Sequence, residues 1–251
     1  MTYVPAYSTQ TVARTRNPHQ PSCVSLLRVS EFFTSLQGEG ASAGEPAVFL
    51  RLGDCNLSCT YCDTRYSWDW EHYRRRDELT EEEVVDVARR IRGCGPQRLV
   101  ITGGEPLLQQ ASVEDLLGEL DGYFVEVETN GTLLPGAMLA GRVDQWNVSP
   151  KLSNSGVRQY TRIKPDVLAT LRETQKAWLK FVVTEPEHVT EVIEVVAAVQ
   201  WPNHRVILMP QALDATELAT RSAWVAQAAI ERGFRFSTRL HLLLWGNSRG
   251  R

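Results

Sequence analysis

No apolar run in this 251-residue chain reaches the roughly 18 residues that a membrane-crossing helix needs, so no helical membrane span is expected. Charge of one sign is scarce as well. The chain sets 27 Lys and Arg against 30 Asp and Glu; a net charge of -3 argues against a general polyanion binder, and nucleic acid is not an expected partner. Cysteine is sparse and unevenly placed: of five, Cys55, Cys59 and Cys62 cluster while Cys23 and Cys94 stand apart. That distribution fits a metal site in a reducing compartment, not a disulfide framework, which makes the cytoplasm the expected location. Low-complexity segments and internal repeats are absent. The first 22 residues lack acids and carry Arg14 and Arg16, the composition of a transit peptide without its amphipathic stripe, and are expected to form a disordered tail. With 43% apolar side chains, residues 23–251 are expected to bury a full core as one domain.

From Leu26 onward, short β-rich runs alternate with amphipathic stretches. Strands are predicted in "LLRVSEFF", "AVFLRL", "RLVIT", "YFVEVE", "DQWNVS", "WLKFVV", "RVILMP" and "RLHLLLW", most of them apolar enough to be parallel strands buried on both faces. The clearest helix is predicted to begin at Thr80, its hydroxyl as the cap, with Glu83 reaching back three positions later. Val84, Val87, Ala88 and Ile91 make its apolar stripe; Arg89, Arg90 and Arg92 sit where the helix dipole favours cations, and Gly93 ends it. A second stripe is Val189, Val192, Ile193, Val196 and Ala197, and a third helix follows Asp214. This alternation reads as βαβ units. Some connections, such as 131–142, are too short for a long covering helix, so the expected α/β fold is an incomplete TIM-like barrel.

In such a barrel the active face lies at the C-terminal ends of the strands. "RLVIT" runs into Gly103, Gly104, Glu105 and Pro106, "YFVEVE" into Thr129, Asn130 and Gly131, "DQWNVS" into Ser149, Pro150 and Lys151, and "RVILMP" into Gln211. The three cysteines follow "AVFLRL" and emerge at the same end. Any one of these groups could simply terminate a strand; their convergence carries the signal. Three thiolates suit either a closed zinc site, with His72 or Cys94 as fourth ligand, or an iron-sulfur cubane with one iron left open for a small molecule. The zinc alternative leaves the strand-end polar groups without a common purpose.

The C-x3-C-x2-C spacing, with Tyr61 just before Cys62, resembles the signature of the radical S-adenosylmethionine (SAM) superfamily, and Gly103-Gly104-Glu105-Pro106 resembles its second motif. "FFTSLQGEGASAGEPAVFLRLGDCNLSCTYCDT", "ETNGT", "NVSPK" and "LHLLLWGNSRG" narrow the resemblance to the 7-carboxy-7-deazaguanine synthase family, over most of the chain from about residue 28. The resemblance implies a partial barrel of the radical SAM type, with a 4Fe-4S cluster on Cys55, Cys59 and Cys62 whose open iron chelates SAM. It implies that Tyr61, Cys62 and Asp63 flank SAM, while Gly103, Gly104, Glu105, Ser149, Pro150, Lys151 and Gln211 line its site. Glu105 or nearby carbonyls would accept from the SAM ammonium, and Lys151 would serve its carboxylate or ribose. Leu36, Gln37, Gly38 and Glu39 would form a pterin-binding loop, with Gln37 and Glu39 pairing to the amide-like edge. Arg51 is costly inside an apolar strand unless an anion answers it. The implied anion is the substrate carboxylate; a salt bridge to an acid of the chain is the alternative. Thr102 and His241 would also touch substrate, His241 having the plain alternative of a satisfied core histidine. Thr64 would offer its hydroxyl to Mg2+. Asp54 departs from the glycine common at that place in relatives.

The activity implied is the contraction of 6-carboxy-5,6,7,8-tetrahydropterin to 7-carboxy-7-deazaguanine with loss of ammonia, in queuosine and deazapurine biosynthesis. One electron breaks a SAM bond, the resulting 5'-deoxyadenosyl radical takes hydrogen from C6, and the rearranged radical takes it back. The implied partners are the pterin, an external one-electron reductant of flavodoxin or ferredoxin type, and a second copy in a homodimer. A glycyl-radical activase shares the cysteine and Gly-Gly-Glu-Pro motifs, but would act on a protein and tolerate loss of Arg51 and Gln37. Outside enzymes, the rival is a zinc-binding structural module.

Overall fold

Nine strands of the described residues, 24–251 of a computed structural model, join in one sheet. The expected disordered tail, residues 1–22, and Cys23 lie outside the described residues. The strands are β1 (Leu26–Leu36), β2 (Pro46–Leu52), β3 (Thr80–Glu83), β4 (Arg98–Gly103), β5 (Phe124–Thr129), β6 (Gln145–Val148), β7 (Ala177–Val183), β8 (Val206–Pro210) and β9 (Arg235–Phe236). Their order is β3-β1-β2-β4-β5-β6-β7-β8-β9. From β2 to β9 every neighbouring pair is parallel, whereas β1 runs antiparallel to both β2 and β3. The two edges, β3 and β9, do not pair with each other, so the sheet is an incomplete barrel. Its helices are α1 (Arg75–Glu78), α2 (Val84–Arg92), α3 (Gln110–Gly118), α4 (Ala137–Arg142), α5 (Gln159–Arg162), α6 (Pro165–Glu173), α7 (Glu187–Ala198), α8 (Ala215–Arg232) and α9 (Leu240–Trp245). None of them is long and apolar enough to cross a membrane.

Period-two alternation decides which face of the sheet does what. Leu50 and Leu52 of β2, Leu99 and Ile101 of β4, Val125 and Val127 of β5, and Leu179, Phe181 and Val183 of β7 join one apolar cluster with residues of α2, α3, α6 and α7. The residues between them turn to the other face, and many are polar: Arg51, Thr102, Glu126, Glu128, Asn147 and Lys180. Of these, Thr102, Glu126, Asn147 and Lys180 are buried. The strands therefore do not bury apolar side chains on both faces as expected. One face is the core and the other is a polar interior.

Three elements differ from expectation. Thr80–Glu83 is not a helical first turn but β3, paired with Leu26–Val29, and the Thr80 hydroxyl bonds Glu82 Oε1 at 3.0 Å. The edge ladder gives these backbone groups partners that a helix start would leave open, so the helix begins at Val84 and buries the expected stripe of Val84, Val87, Ala88 and Ile91. In α7 the buried side chains are Val189, Val192, Val195 and Val196, leaving Ile193 and Ala197 exposed. "RLHLLLW" is not a strand: Leu240–Trp245 is helical, and the place beside β8 goes to β9. A short apolar run does not distinguish strand from helix by periodicity. The helix expected after Asp214 is α8, and Asp214 caps it, its carboxylate accepting from Thr216 N at 2.8 Å and Glu217 N at 2.9 Å.

Because β1 is antiparallel, the loop that follows it starts at the end of the sheet opposite the cysteines. The loop then crosses the polar interior through a turn at Gly40–Ser42. Gly40 N donates to Ser237 Oγ at 2.8 Å, and Ser42 Oγ accepts from Gln145 Nε2 at 2.8 Å. The crossing carries Gln37, Gly38 and Glu39 into the cavity that opens at the strand ends.

Candidate active site

The C-terminal ends of the parallel strands enclose a cavity of about 480 Å³. Leu36, Gln37, Gly38, Glu39, Arg51, Cys55, Cys59, Tyr61, Cys62, Asp63, Thr64, Thr102, Gly103, Gly104, Ser149, Lys151, Gln211 and His241 line it; Glu105 and Pro150 do not.

The cysteine loop is fixed from below by close backbone packing. Gly104 N donates to Leu52 O at 3.0 Å and Glu105 N to Asp54 O at 2.9 Å. A Cβ on Gly104 would lie 2.0 Å from Asp54 O, so the loop and the Gly-Gly turn fit only without a side chain there. Asp54 itself has φ 69, a left-handed conformation that Asp tolerates and glycine favours. Its carboxylate accepts from Arg28 Nε at 2.6 Å and Trp70 Nε1 at 3.0 Å. Beyond it, Thr60 N donates to Ser155 O at 3.0 Å, which ties the loop to the segment after Lys151. Asn130 Nδ2 donates to Asn56 Oδ1 at 2.9 Å.

The thiols are suited to a cluster. Burial pushes the Cys55 thiol up to about 12 and raises that of Cys59, so without metal both stay protonated. Leu57 N lies 3.4 Å from Cys55 Sγ and Trp68 Nε1 3.2 Å from Cys62 Sγ, donors of the kind that stabilise cluster sulfur. A single-ion site fits poorly. His72 is held by Asp69 at 3.0 Å. Cys94 precedes β4, while the three cysteines follow β2; since β2 and β4 are parallel, it lies at the other end of the sheet. Neither closes a zinc site.

Several expected contacts are spent on the protein itself. Glu105 is fully buried, accepting from Leu107 N at 3.0 Å, Thr129 Oγ1 at 2.9 Å and Asn130 N at 2.8 Å. It braces two strand ends and is not available to a ligand. Burial raises its pKa against those donors. Pro150 is buried beneath the cavity wall. The Gln37 amide donates to Glu126 Oε1 at 2.7 Å and Glu128 Oε1 at 3.1 Å. Glu39 is bound by Lys180 Nζ at 2.6 Å and Arg239 Nε at 2.9 Å. Burial opposes its charge, but the two cations hold its carboxyl well below the usual range. Neither Gln37 nor Glu39 has the free edge expected for a heterocycle.

Arg51 has both of its alternatives. Its Nε donates to Glu31 Oε2 at 2.6 Å, and Tyr66 OH shares that carboxylate at 2.8 Å. Among the described residues its terminal nitrogens have no protein partner, and the side chain lines the cavity. Burial works against its charge, yet Tyr66, Glu31 and Asp63 keep the guanidinium protonated. Lys151 Nζ touches Ser149 Oγ at 3.0 Å and no acid among the described residues. Thr102 Oγ1 donates to Glu128 Oε2 at 2.8 Å. Thr64 Oγ1 lies 3.6 Å from Cys62 Sγ. His241 sits on α9 against Gly38, where a Cβ would come within 2.2 Å of its Nδ1; burial lowers its pKa. Gln211 Oε1 accepts from Arg221 at 3.0 Å.

Sequence reasoning missed Glu31, Glu128, Lys180 and Arg239, all on the cavity wall. Glu128 and Lys180 carried a signal: a charge inside a strand, two positions from another polar or large residue of the same face.

Residues 51–215 match the radical SAM superfamily. The chain is 42% identical to 7-carboxy-7-deazaguanine synthase of Pyrobaculum aerophilum, a similarity covering 92% of this chain and 100% of the relative. It is 40% identical to the synthase of Hyperthermus butylicus, over 87% and 93% of the two chains. Its fold is similar to that of QueE from Escherichia coli, with TM-score 0.66 and 25% identity over 86% of this chain and 95% of the other. Streptococcus suis SuiB shares the fold at TM-score 0.53 and 17% identity, over 74% and 48%.

Proposed function

Since the chain belongs to the radical SAM superfamily and, within it, to the 7-carboxy-7-deazaguanine synthase family, we propose that its cavity contracts 6-carboxy-5,6,7,8-tetrahydropterin to 7-carboxy-7-deazaguanine with loss of ammonia. The observation that carries this reading is the pairing, on one cavity, of three thiols from one loop with an Arg51 whose terminal nitrogens are uncommitted among the described residues. When bound, a 4Fe-4S cluster and SAM supply one-electron bond cleavage and reversible hydrogen abstraction.

The chain's own residues bind, orient and exclude water. Cys55, Cys59 and Cys62 hold the cluster. Lys151, without an acidic partner among the described residues, meets the SAM carboxylate, and the glycine turn at Gly103 and Gly104 lets the cysteine loop pack against β4 beside it. Arg51 takes the pterin carboxylate through its two terminal nitrogens, and Thr64, whose hydroxyl lines the same cavity, would offer an oxygen to Mg2+, which would orient that carboxylate. Glu128, fixed by neutral donors of Gln37 and Thr102 and in no ion pair among the described residues, keeps its charge and a further lone pair on each oxygen for the N–H edge of the pterin, the role expected of Gln37 and Glu39. Held this way, substrate keeps its reacting carbon in one place while the polar interior excludes bulk water. An external donor of flavodoxin or ferredoxin type, a homodimeric state and a cytoplasmic location belong to the same proposal.

The test is anaerobic reconstitution with iron and sulfide, followed by incubation with SAM, a reductant and the carboxy-tetrahydropterin. Mass spectrometry should find the deazaguanine acid. SAM consumed to 5'-deoxyadenosine with the pterin unchanged would reject the substrate, and colourless protein with one zinc per chain would reject the cluster.

A further inference from the structure

Arg239 precedes α9 with its side chain only 9% exposed, deep enough that every donor of the guanidinium needs a partner. It finds partners on three segments remote in sequence. Nε donates to Glu39 Oε1 at 2.9 Å, Nη2 to the Asp63 carboxylate, and Nη1 to the Ala212 carbonyl. Lys180 closes the group by holding the other Glu39 oxygen at 2.6 Å. Two cations thus balance two carboxylates, and the pKa of Glu39 falls while that of Arg239 rises.

Each segment serves a different ligand in the reading above, on which this inference rests. Glu39 belongs to the crossing loop on the pterin side. Asp63 sits between the cluster ligand Cys62 and the proposed magnesium ligand Thr64. Ala212 follows Gln211 on the SAM side. The same turn holds the crossing loop a second time, since Leu240 N donates to Gly38 O at 2.8 Å. A planar fork with donors in three directions can join three such segments; an ammonium on a flexible stem cannot hold all three in one plane.

We propose that Arg239 is a positioning residue that sets the pterin loop, the cluster loop and the SAM-side loop in one mutual geometry. Without it the three ligand sites form separately but out of register. The coupling makes a specific demand: one substitution should disturb the binding of two chemically unrelated substrates together, and should loosen three separate stretches of backbone.

The experiment compares wild type with Arg239→Gln, Arg239→Lys and Asp63→Asn. In Arg239→Gln the KM for SAM and the KM for the pterin should both rise about tenfold, with a smaller effect on kcat, as loss of charge-assisted bonds predicts. Arg239→Lys should recover part of both. Independently of turnover, hydrogen–deuterium exchange should quicken together in residues 36–42, 60–64 and 211–213 and stay unchanged in α2 and α7. Wild-type KM values, or faster exchange confined to the neighbourhood of residue 239 or spread through the whole sheet, would overturn the proposal. Should Arg239→Gln fail to fold, Asp63→Asn decides, since it keeps the side-chain shape and weakens one link only, by removing its charge. Faster exchange at 36–42 as well as 60–64, with a raised KM for the pterin, supports the coupling; a change confined to 60–64 and the KM for SAM, or wild-type behaviour, rejects it. A wild-type protein that forms no deazaguanine acid defeats the assigned reaction instead, while the exchange pattern still tests the three-way link.

Discussion

At Gly104 a single methyl group decides whether the cysteine loop can form, because the atom it would strike is the Asp54 carbonyl, a backbone oxygen with no rotamer to change. Gly104→Ala should therefore displace Asp54 and Cys55. Iron bound per chain after reconstitution should fall sharply, while the far-UV circular dichroism stays that of wild type. Arg51 is a different kind of position: its bond to Glu31 makes it structurally satisfied, while its terminal nitrogens, without a partner among the described residues, are what the proposed carboxylate contact rests on. Arg51→Lys keeps charge but loses the fork, so the pterin KM should rise about tenfold to a hundredfold with the SAM KM unchanged; an unchanged pterin KM would remove Arg51 from carboxylate binding. Glu39 gives a pH signature. Its folded pKa lies well below the ordinary 4.5, so it contributes stability above that value and loses it as pH falls through the folded pKa. The melting-temperature gap between wild type and Glu39→Gln should be widest near neutrality and close as acid protonates the group. The burial cost of Arg51 was legible in the sequence as a charge inside an apolar strand, whereas Glu39, set among glycines, gave no such sign. The partners of neither were legible, because Glu31, Lys180 and Arg239 are brought to them by the sheet from 20 to 200 positions away.

Elements carry the site by bracing one another, and the clearest case is the segment after Lys151. Arg162, at the end of α5, donates to Lys151 O at 2.7 Å and Val157 O at 3.0 Å, and pairs with Glu191 of α7 at 2.6 Å. Glu191 in turn accepts from Ser153 N at 2.9 Å, and Ser155 O accepts from Thr60 N between the cluster cysteines at 3.0 Å. Helix, loop and cysteine loop are therefore one stack. Arg162→Ala removes the ion pair to Glu191, which keeps its Ser153 donors, and leaves two carbonyls without their donor, at a cost of about 2 kcal/mol. Limited proteolysis should then cut within 151–158 before any other site, and the KM for SAM should rise; cleavage elsewhere first would show that the loop is held by something other than this pair. The amphipathic stripe of α2 and the start of α8 after Asp214 could be read from local pattern, since each depends on neighbours a few residues away. The strand at Thr80–Glu83 and the helix at Leu240–Trp245 could not. The first exists because β1 offers an open edge, and the second because β9 takes the place beside β8.

Across the whole molecule the sheet separates stability from chemistry. The apolar cluster lies between strands and helices on the outer face, and it contains none of Cys55, Cys59 and Cys62. The cavity lies on the inner face, walled by side chains whose charges are largely paired within the protein, such as Glu39 with Lys180 and Arg239, and Arg51 with Glu31. Two consequences follow from this division. A structural zinc module loses its fold with its metal, because binding energy is its folding energy. Here the core is complete without the cluster, so metal binding adds to a sheet that is already folded, and its removal costs only the linkage between site and fold. Stripping iron with a chelator under anaerobic conditions should thus leave the helix and strand content and a single cooperative melt, lowered in temperature. The change should be local: residues 54–70 exchange faster, and Cys55, no longer held as a thiolate and with its thiol pushed up to about 12, reacts slowly with iodoacetamide at pH 8. If the chelated protein instead loses its circular dichroism and exchanges throughout β4 to β8, the cluster holds the fold together, and the separation of faces argued here is wrong.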